Sequence, residues 1–226
     1  MAKKKNKTED QFEQVEQALS KTEQFIEDNQ QILVKIVGGI VLAIALVIGV
    51  KNFYLEPRSA EANSEMFMAE LYFQKDSFDL ALNGDGQYLG FIDIADDYGI
   101  TKAGKLAKYY AGICYLNLSD YENAIDYLKS FSSSDILLSS LALGCIGDAY
   151  MELEDQDKAL KYYEEATEES DNGFTTPKYL FRQAMIHENN KDYDDALEIY
   201  KRIKSDYENS KEANGIEKYI SRAENR

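Results

Sequence analysis

The chain has 226 residues, a formal net charge of −16, 17 Tyr, no Trp, and only two Pro and two Cys. Acidity on that scale repels nucleic acid and anionic headgroups. Two cysteines at non-motif spacing make neither a metal framework nor a disulfide scaffold, and few prolines with plentiful Leu, Ala and Tyr suit an all-α fold. The charge is uneven. Residues 1–51 hold seven Lys and seven acids, so the 18 bases and 34 acids that follow carry the whole excess.

In chain order, the first element is an amphipathic leader. Phe12, Val15, Leu19, Thr22, Ile26, Asn29 and Leu33 alternate spacings of three and four, and Ala18, Phe25 and Ile32 widen the stripe. A short coiled coil, a helix lying on a membrane surface and a docking helix for a membrane neighbour all fit this seam. So does a solvated, partly formed helix, because Thr22 and Asn29 weaken it.

Ile32 to Val50 follows, apolar except for Lys35. As a helix it reaches roughly 28 Å, close to the ~30 Å hydrocarbon core of a bilayer. Lys35 lies near one edge, where its stem can return the ammonium to the headgroups, and Phe53 and Tyr54 suit the other interface. The leader is too long and the apolar run too extended for a cleaved signal peptide, so an uncleaved anchor is expected. Lys3, Lys4, Lys5 and Lys7 precede the span, against Lys51 and Arg58 after it. That asymmetry places 1–31 in the cytoplasm, 32–54 across the cytoplasmic (inner) membrane and 55–226 outside it. Small pairs Gly39/Ala43 and Ala45/Gly49 permit close helix contact, so homo-oligomerisation through the span or the leader is one expectation.

Beyond the span the sequence repeats. AGICYLNLSDYENAIDYLKSF begins at Ala111, IGDAYMELEDQDKALKYYEEA at Ile146 and QAMIHENNKDYDDALEIYKRI at Gln183. Each gives a helix, a polar turn with Asp, and a second helix opening on Ala-Leu or Ala-Ile. The small residues Gly112, Gly147 and Ala184 recur at intervals of 35 and 37, as do Ala124, Ala159 and Ala196. A fourth copy is legible from Ala69 to Ala81. Small residues on both helices allow antiparallel packing at 8–10 Å, and because one hairpin cannot bury its apolar face alone, hairpins stack. Asn83 to Gln87 reads as a loop before a helix from Gln87 to Asp97. Tyr98-Gly99 reads as a stop before a cap at Thr101, Asp171-Asn172-Gly173 as a break, and 210–224 as a capping helix.

This pattern resembles the tetratricopeptide repeat family over about residues 60–210, although no copy has the family's Trp. The resemblance implies an α-solenoid of antiparallel hairpins, with copies about 60–98, 102–134, 135–170 and 175–209. It also implies a protein-binding groove lined by the first helix of each hairpin. Carried over by position, that groove comprises Met66, Glu70 and Phe73; Leu106, Tyr109, Ile113, Leu116 and Asn117; Asp148, Met151 and Glu152; and Phe181, Met185 and Glu188. Lys178 and Arg182 match two positions of a carboxylate clamp found in part of the family, but Tyr109 and Ile113 stand where its other residues belong, so no clamp is expected. The mixture of apolar and acidic groups favours a protein or peptide partner with hydrophobic and basic residues. With one anchor, the chain is similar to bitopic repeat proteins that sit beside the bacterial secretion translocon and assist exported chains. A scaffold in cell-wall or outer-membrane assembly is the alternative. No catalytic residue, metal or cofactor is expected: His187 occupies an aromatic packing slot, and Cys114 and Cys145 lie among apolar neighbours.

Overall fold

The computed structural model describes the backbone from residue 7 and the side chains of residue 23 and of residues 25–226. Lys3, Lys4 and Lys5, and the side chains of Phe12, Val15, Ala18, Leu19 and Thr22, lie outside the described residues. Helix accounts for every regular element among the described residues. The chain forms two compact units, Met1–Pro57 and Arg58–Arg226.

In the first unit, α1 (Lys7–Val50) runs through leader and apolar stretch without a break. Val34, Leu42 and Val47 are each more than 60% exposed, so these side chains have no protein to pack against. One helix of the described residues is long and apolar enough to cross a membrane, and it includes this stretch. A π-helical turn, Lys51–Leu55, follows. Pro57 supplies a physical reason for it. A proline ring meets the carbonyl four residues back, here that of Phe53, and a locally widened helix relieves the collision. The Glu56 N–H accordingly reaches back five residues to the Lys51 carbonyl.

The second unit begins within α2 (Glu56–Gln74) and continues with α3 (Phe78–Asn83), α4 (Phe91–Asp97), α5 (Lys102–Asn117) and α6 (Tyr121–Ser130). Next come α7 (Ile136–Glu152), α8 (Gln156–Glu169), α9 (Thr176–Asn190), α10 (Tyr193–Asp206) and α11 (Glu217–Glu224). The pairs α5/α6, α7/α8 and α9/α10 are hairpins, each packed on the next.

The hairpin turns share one construction. Asp76, Ser119, Glu154 and Lys191 all adopt left-handed backbone, with φ of 54°, 62°, 60° and 69°. The following N–H donates back to the carbonyl five residues earlier: Asp120 to Tyr115 and Asp155 to Tyr150 at 2.9 Å, and Asp192 to His187 at 2.8 Å. This is the Schellman closure, which a glycine ordinarily serves. Asp120 and Asp155 then cap the second helices, accepting from Asn123 N and Lys158 N. Since an L residue pays for the left-handed region, Lys191→Gly should raise stability by roughly 0.5–1 kcal/mol, read as a higher urea midpoint at unchanged slope.

Small residues sit where helices approach. A Cβ on Gly112 would lie 2.5 Å from Leu128 Cγ, and one on Gly147 would lie 2.6 Å from the Tyr163 ring. Ala124, Ala159, Ala184 and Ala196 are fully buried. Between hairpins the fit is closer still, because a Cβ on Gly144 would fall 1.9 Å from the ring of Tyr179.

Two sequence expectations shift. The helix expected from Gln87 starts at Phe91, because the Asp85 carboxylate accepts from Gln87 N and Tyr88 N at 2.9 and 2.8 Å and holds that segment as a turn. The capping helix expected over 210–224 is helical only from Glu217; turns occupy the residues before it, where Gly215 takes φ of 76°. Thr101 caps α5 as expected, its Oγ1 accepting from Gly104 N at 3.0 Å.

Candidate protein-binding cleft

The α7/α8 and α9/α10 hairpins leave a cleft of about 1060 Å³ between α7 and α9, with α11 as a further wall. Its surface combines Met151, Met185, Ile186 and Tyr163 with Asp148, Glu152, Glu154, Glu188, Arg182 and Arg222. Met185 also lines a smaller neighbouring cavity of about 420 Å³, together with Phe181 and Arg182.

Two carboxylates in the cleft are already engaged. Asp148 accepts from Tyr163 Oη at 2.7 Å and faces Arg182 Nε at 3.6 Å. Glu188 accepts from Tyr200 Oη at 3.0 Å and is gripped by both Nε and Nη2 of Arg222, which ties α11 to α9. The same hydrogen bond from Arg222 to Glu188 holds the guanidinium above its usual value. Burial pushes the Tyr163 phenol far above the ordinary tyrosine range, and the Asp148 charge adds to it. Glu152 is exposed and receives only a long bond from Tyr121 Oη, 3.4 Å.

Of the expected groove residues, the cleft gathers Asp148, Met151, Glu152, Met185 and Glu188, and the smaller cavity adds Phe181. The other positions are placed differently. Met66 is 4% exposed and belongs to the core of the first hairpins. Phe73 and Leu106 pack against that same core, with Phe73 edge-on to Phe78 and Tyr110. Tyr109, Ile113 and Leu116 cover the next cluster, around Ile125 and Ile146. Glu70 is half-buried, and Asn117 turns its amide back to the Ile113 carbonyl at 2.8 Å. Sequence reasoning missed Tyr163, Tyr193, Arg222 and Arg226, which come from second helices and the cap. The signal for Tyr163 was its place sixteen residues after Gly147, the position that fills the notch left by the small residue.

Neither thiol is poised for chemistry. Cys114 is buried and Cys145 half-buried, both are free, and burial pushes each up to about 12. His187 Nδ1 stands 3.9 Å from Asp192, which precedes α10, and 4.0 Å from Asp195 in the first turn of that helix.

Comparison with known proteins accords with this architecture. The tetratricopeptide repeat family profile matches residues 146–211, and a second profile of the same repeat matches residues 106–134. No curated protein matches the chain. Among solved structures, a crystal structure of MamA protein superposes with a TM-score of 0.50 at 17% identity, covering 72% of this chain and 89% of that one. That likeness concerns the fold.

Proposed function

We propose, on the premise that residues 106–134 and 146–211 are tetratricopeptide repeats, that the chain is a membrane-anchored module holding a segment of another polypeptide in the cleft between α7 and α9. The cleft's own make-up carries this reading. Met151 and Met185 offer adaptable apolar contact, and charged groups at the rim orient what binds. Tetratricopeptide folds generally serve as protein-interaction scaffolds. Asp148 and Glu188 are already engaged by neighbouring side chains. Glu152 and Glu154 are left to bias the partner.

The finer reading is a cytoplasmic leader over 1–31, a span over 32–54 in the cytoplasmic membrane and a repeat domain outside it that receives exported chains beside the translocon. The exposed apolar side chains of α1 and the lysines ahead of the span support the span and its orientation. A fixed-partner scaffold for envelope assembly is the second reading. The internally satisfied charges favour it, since they set the cleft's shape in advance.

A photoreactive residue at Glu152 should crosslink bound polypeptide, and Met151→Asp should abolish that capture while far-UV circular dichroism stays unchanged. Capture that survives Met151→Asp would remove the cleft from the account. Many exported products would favour the first reading, one dominant product the second. The anchor is tested separately. Leu42→Lys adds about 3–4 kcal/mol to insertion at mid-membrane, so the variant should shift toward the carbonate-extractable fraction.

A further inference from the structure

The interval between equivalent small residues is 35 from Gly112 to Gly147 but 37 from Gly147 to Ala184. The lengthened interval contains a loop between α8 and α9 that is heavily cross-braced. Asn172 Oδ1 accepts from Phe174 N and Thr175 N, both at 2.8 Å. Its Nδ2 donates to Thr175 Oγ1 at 2.6 Å and to Ser170 Oγ at 2.9 Å, while Thr176 Oγ1 donates to the Ser170 carbonyl at 2.8 Å. Thr175 and Thr176 are fully buried, yet Phe174, held between Asn172 and Thr175, is 70% exposed. A rigid loop that presents a large ring to water is the form of a recognition anchor, because the ordering cost is already met before a partner arrives.

Phe174 stands at the 420 Å³ cavity. Its other walls are Phe181, Met185, Lys178, Arg182 and Lys211, with Glu212 the one carboxylate in the lining. After residue 51 the chain carries 34 acids against 18 bases, so three cations against one acid around an aromatic cup reverses the local background. Arg182 is shared with Asp148; Lys178 is half-buried and Lys211 exposed.

We infer that this cup takes an acidic-apolar peptide segment, an aromatic or aliphatic side chain seating among Phe174, Phe181 and Met185 while flanking side-chain carboxylates meet Lys178 and Lys211. The inference rests on the cleft reading and deepens it. Met185 lines both cavities, so one segment can run through them, its acidic end at Lys211 and its neutral or basic end at Glu152 and Glu154. Charge complementarity at both ends fixes the direction of the bound chain. Internal carboxylates suffice, and a free C-terminus is not required.

The test uses the full chain in detergent and three fluorescent peptides of about ten residues, all acetylated and amidated, alternating leucine with aspartate, glutamine or lysine. The aspartate peptide should bind at least about tenfold more tightly than the lysine peptide, and added salt should erase the difference. Lys211→Glu, on an exposed side chain, and Lys178→Glu with Lys211→Glu should erase it progressively, and Phe174→Ser should weaken binding of the aspartate peptide. Preference for the lysine peptide, or an aspartate preference indifferent to both charge reversals, overturns the inference. If binding in either case is still lost in Met151→Asp, the cleft reading stands without it. If none of the peptides binds and crosslinking from Glu152 also fails, both readings fall.

Discussion

Alanine at position 179 is expected to cost about 3–5 kcal/mol, the range for emptying a large buried aromatic site. Tyr179 is fully buried, and its ring lies stacked on Tyr163 at 5.9 Å between centroids and 15° between planes. It also occupies the notch left by Gly144, so it joins the α7/α8 hairpin to the α9/α10 hairpin. The adjacent backbone closes the vacancy only in part, because α8 packs against both α7 and α9 and holds them in place. Urea unfolding should show a lower midpoint. Gly144→Ala, which crowds the same contact, should cost less, about 1–3 kcal/mol. Combining the two should cost less than their sum, because the added methyl then has space to enter. Strict additivity would mean that the two residues do not share a contact.

Raising the pH above about 10 should destabilise the fold more steeply than loss of surface charge pairs explains. Burial pushes Tyr163, Tyr179 and Tyr200 far above the ordinary tyrosine value, with Asp148 reinforcing Tyr163 and a hydrogen bond to Glu188 reinforcing Tyr200. In the unfolded chain these phenols titrate near 10. The folded state therefore binds more protons once the pH passes that value, and the free energy of unfolding falls as pH rises. Below about pH 9 the contribution is complete. By about pH 11 each of the three costs roughly 1.4 kcal/mol, close to 4 kcal/mol together. The buried thiol of Cys114, pushed to about 12, begins to contribute above its unfolded value near 8.5. Urea midpoints across this range measure the loss. Phenolate absorbance from the buried tyrosines should appear together with unfolding, and gradual ionisation without unfolding would refute the linkage.

The helical character and the hairpin pairing were legible because the sequence repeats what packing requires. Gly112 with Leu128 and Gly147 with Tyr163 are the same contact made twice, and a periodic contact leaves a periodic sequence. The first copy was harder. There the Asp85 carboxylate, through three hydrogen bonds to Tyr72, Gln87 and Tyr88, overrides the helical pattern that begins at Gln87. The site was legible only in part. Spacing identifies which positions face a groove in an ideal repeat, but it does not say how far neighbouring aromatics close over them. Met66 and Phe73 are enclosed because Phe78, Phe91 and Tyr110 crowd the first hairpins. Arg222 escaped notice because it lies outside the repeats, and the turns before α11 that deliver it have no counterpart in the repeat pattern.

The grip of Arg222 on Glu188 makes the last helix a jamb of the cleft as well as an end-stop for the stack. Whatever lodges against that jamb and α9 together feels two equilibria at once, its own and the seating of α11. Thermodynamics makes them reciprocal: cargo that fits tightens the latch by the same factor by which a seated latch tightens the cargo. Hydrogen exchange in Glu217–Glu224 would then serve as a gauge of occupancy, slowing as the cleft fills even though most of that helix never touches the guest.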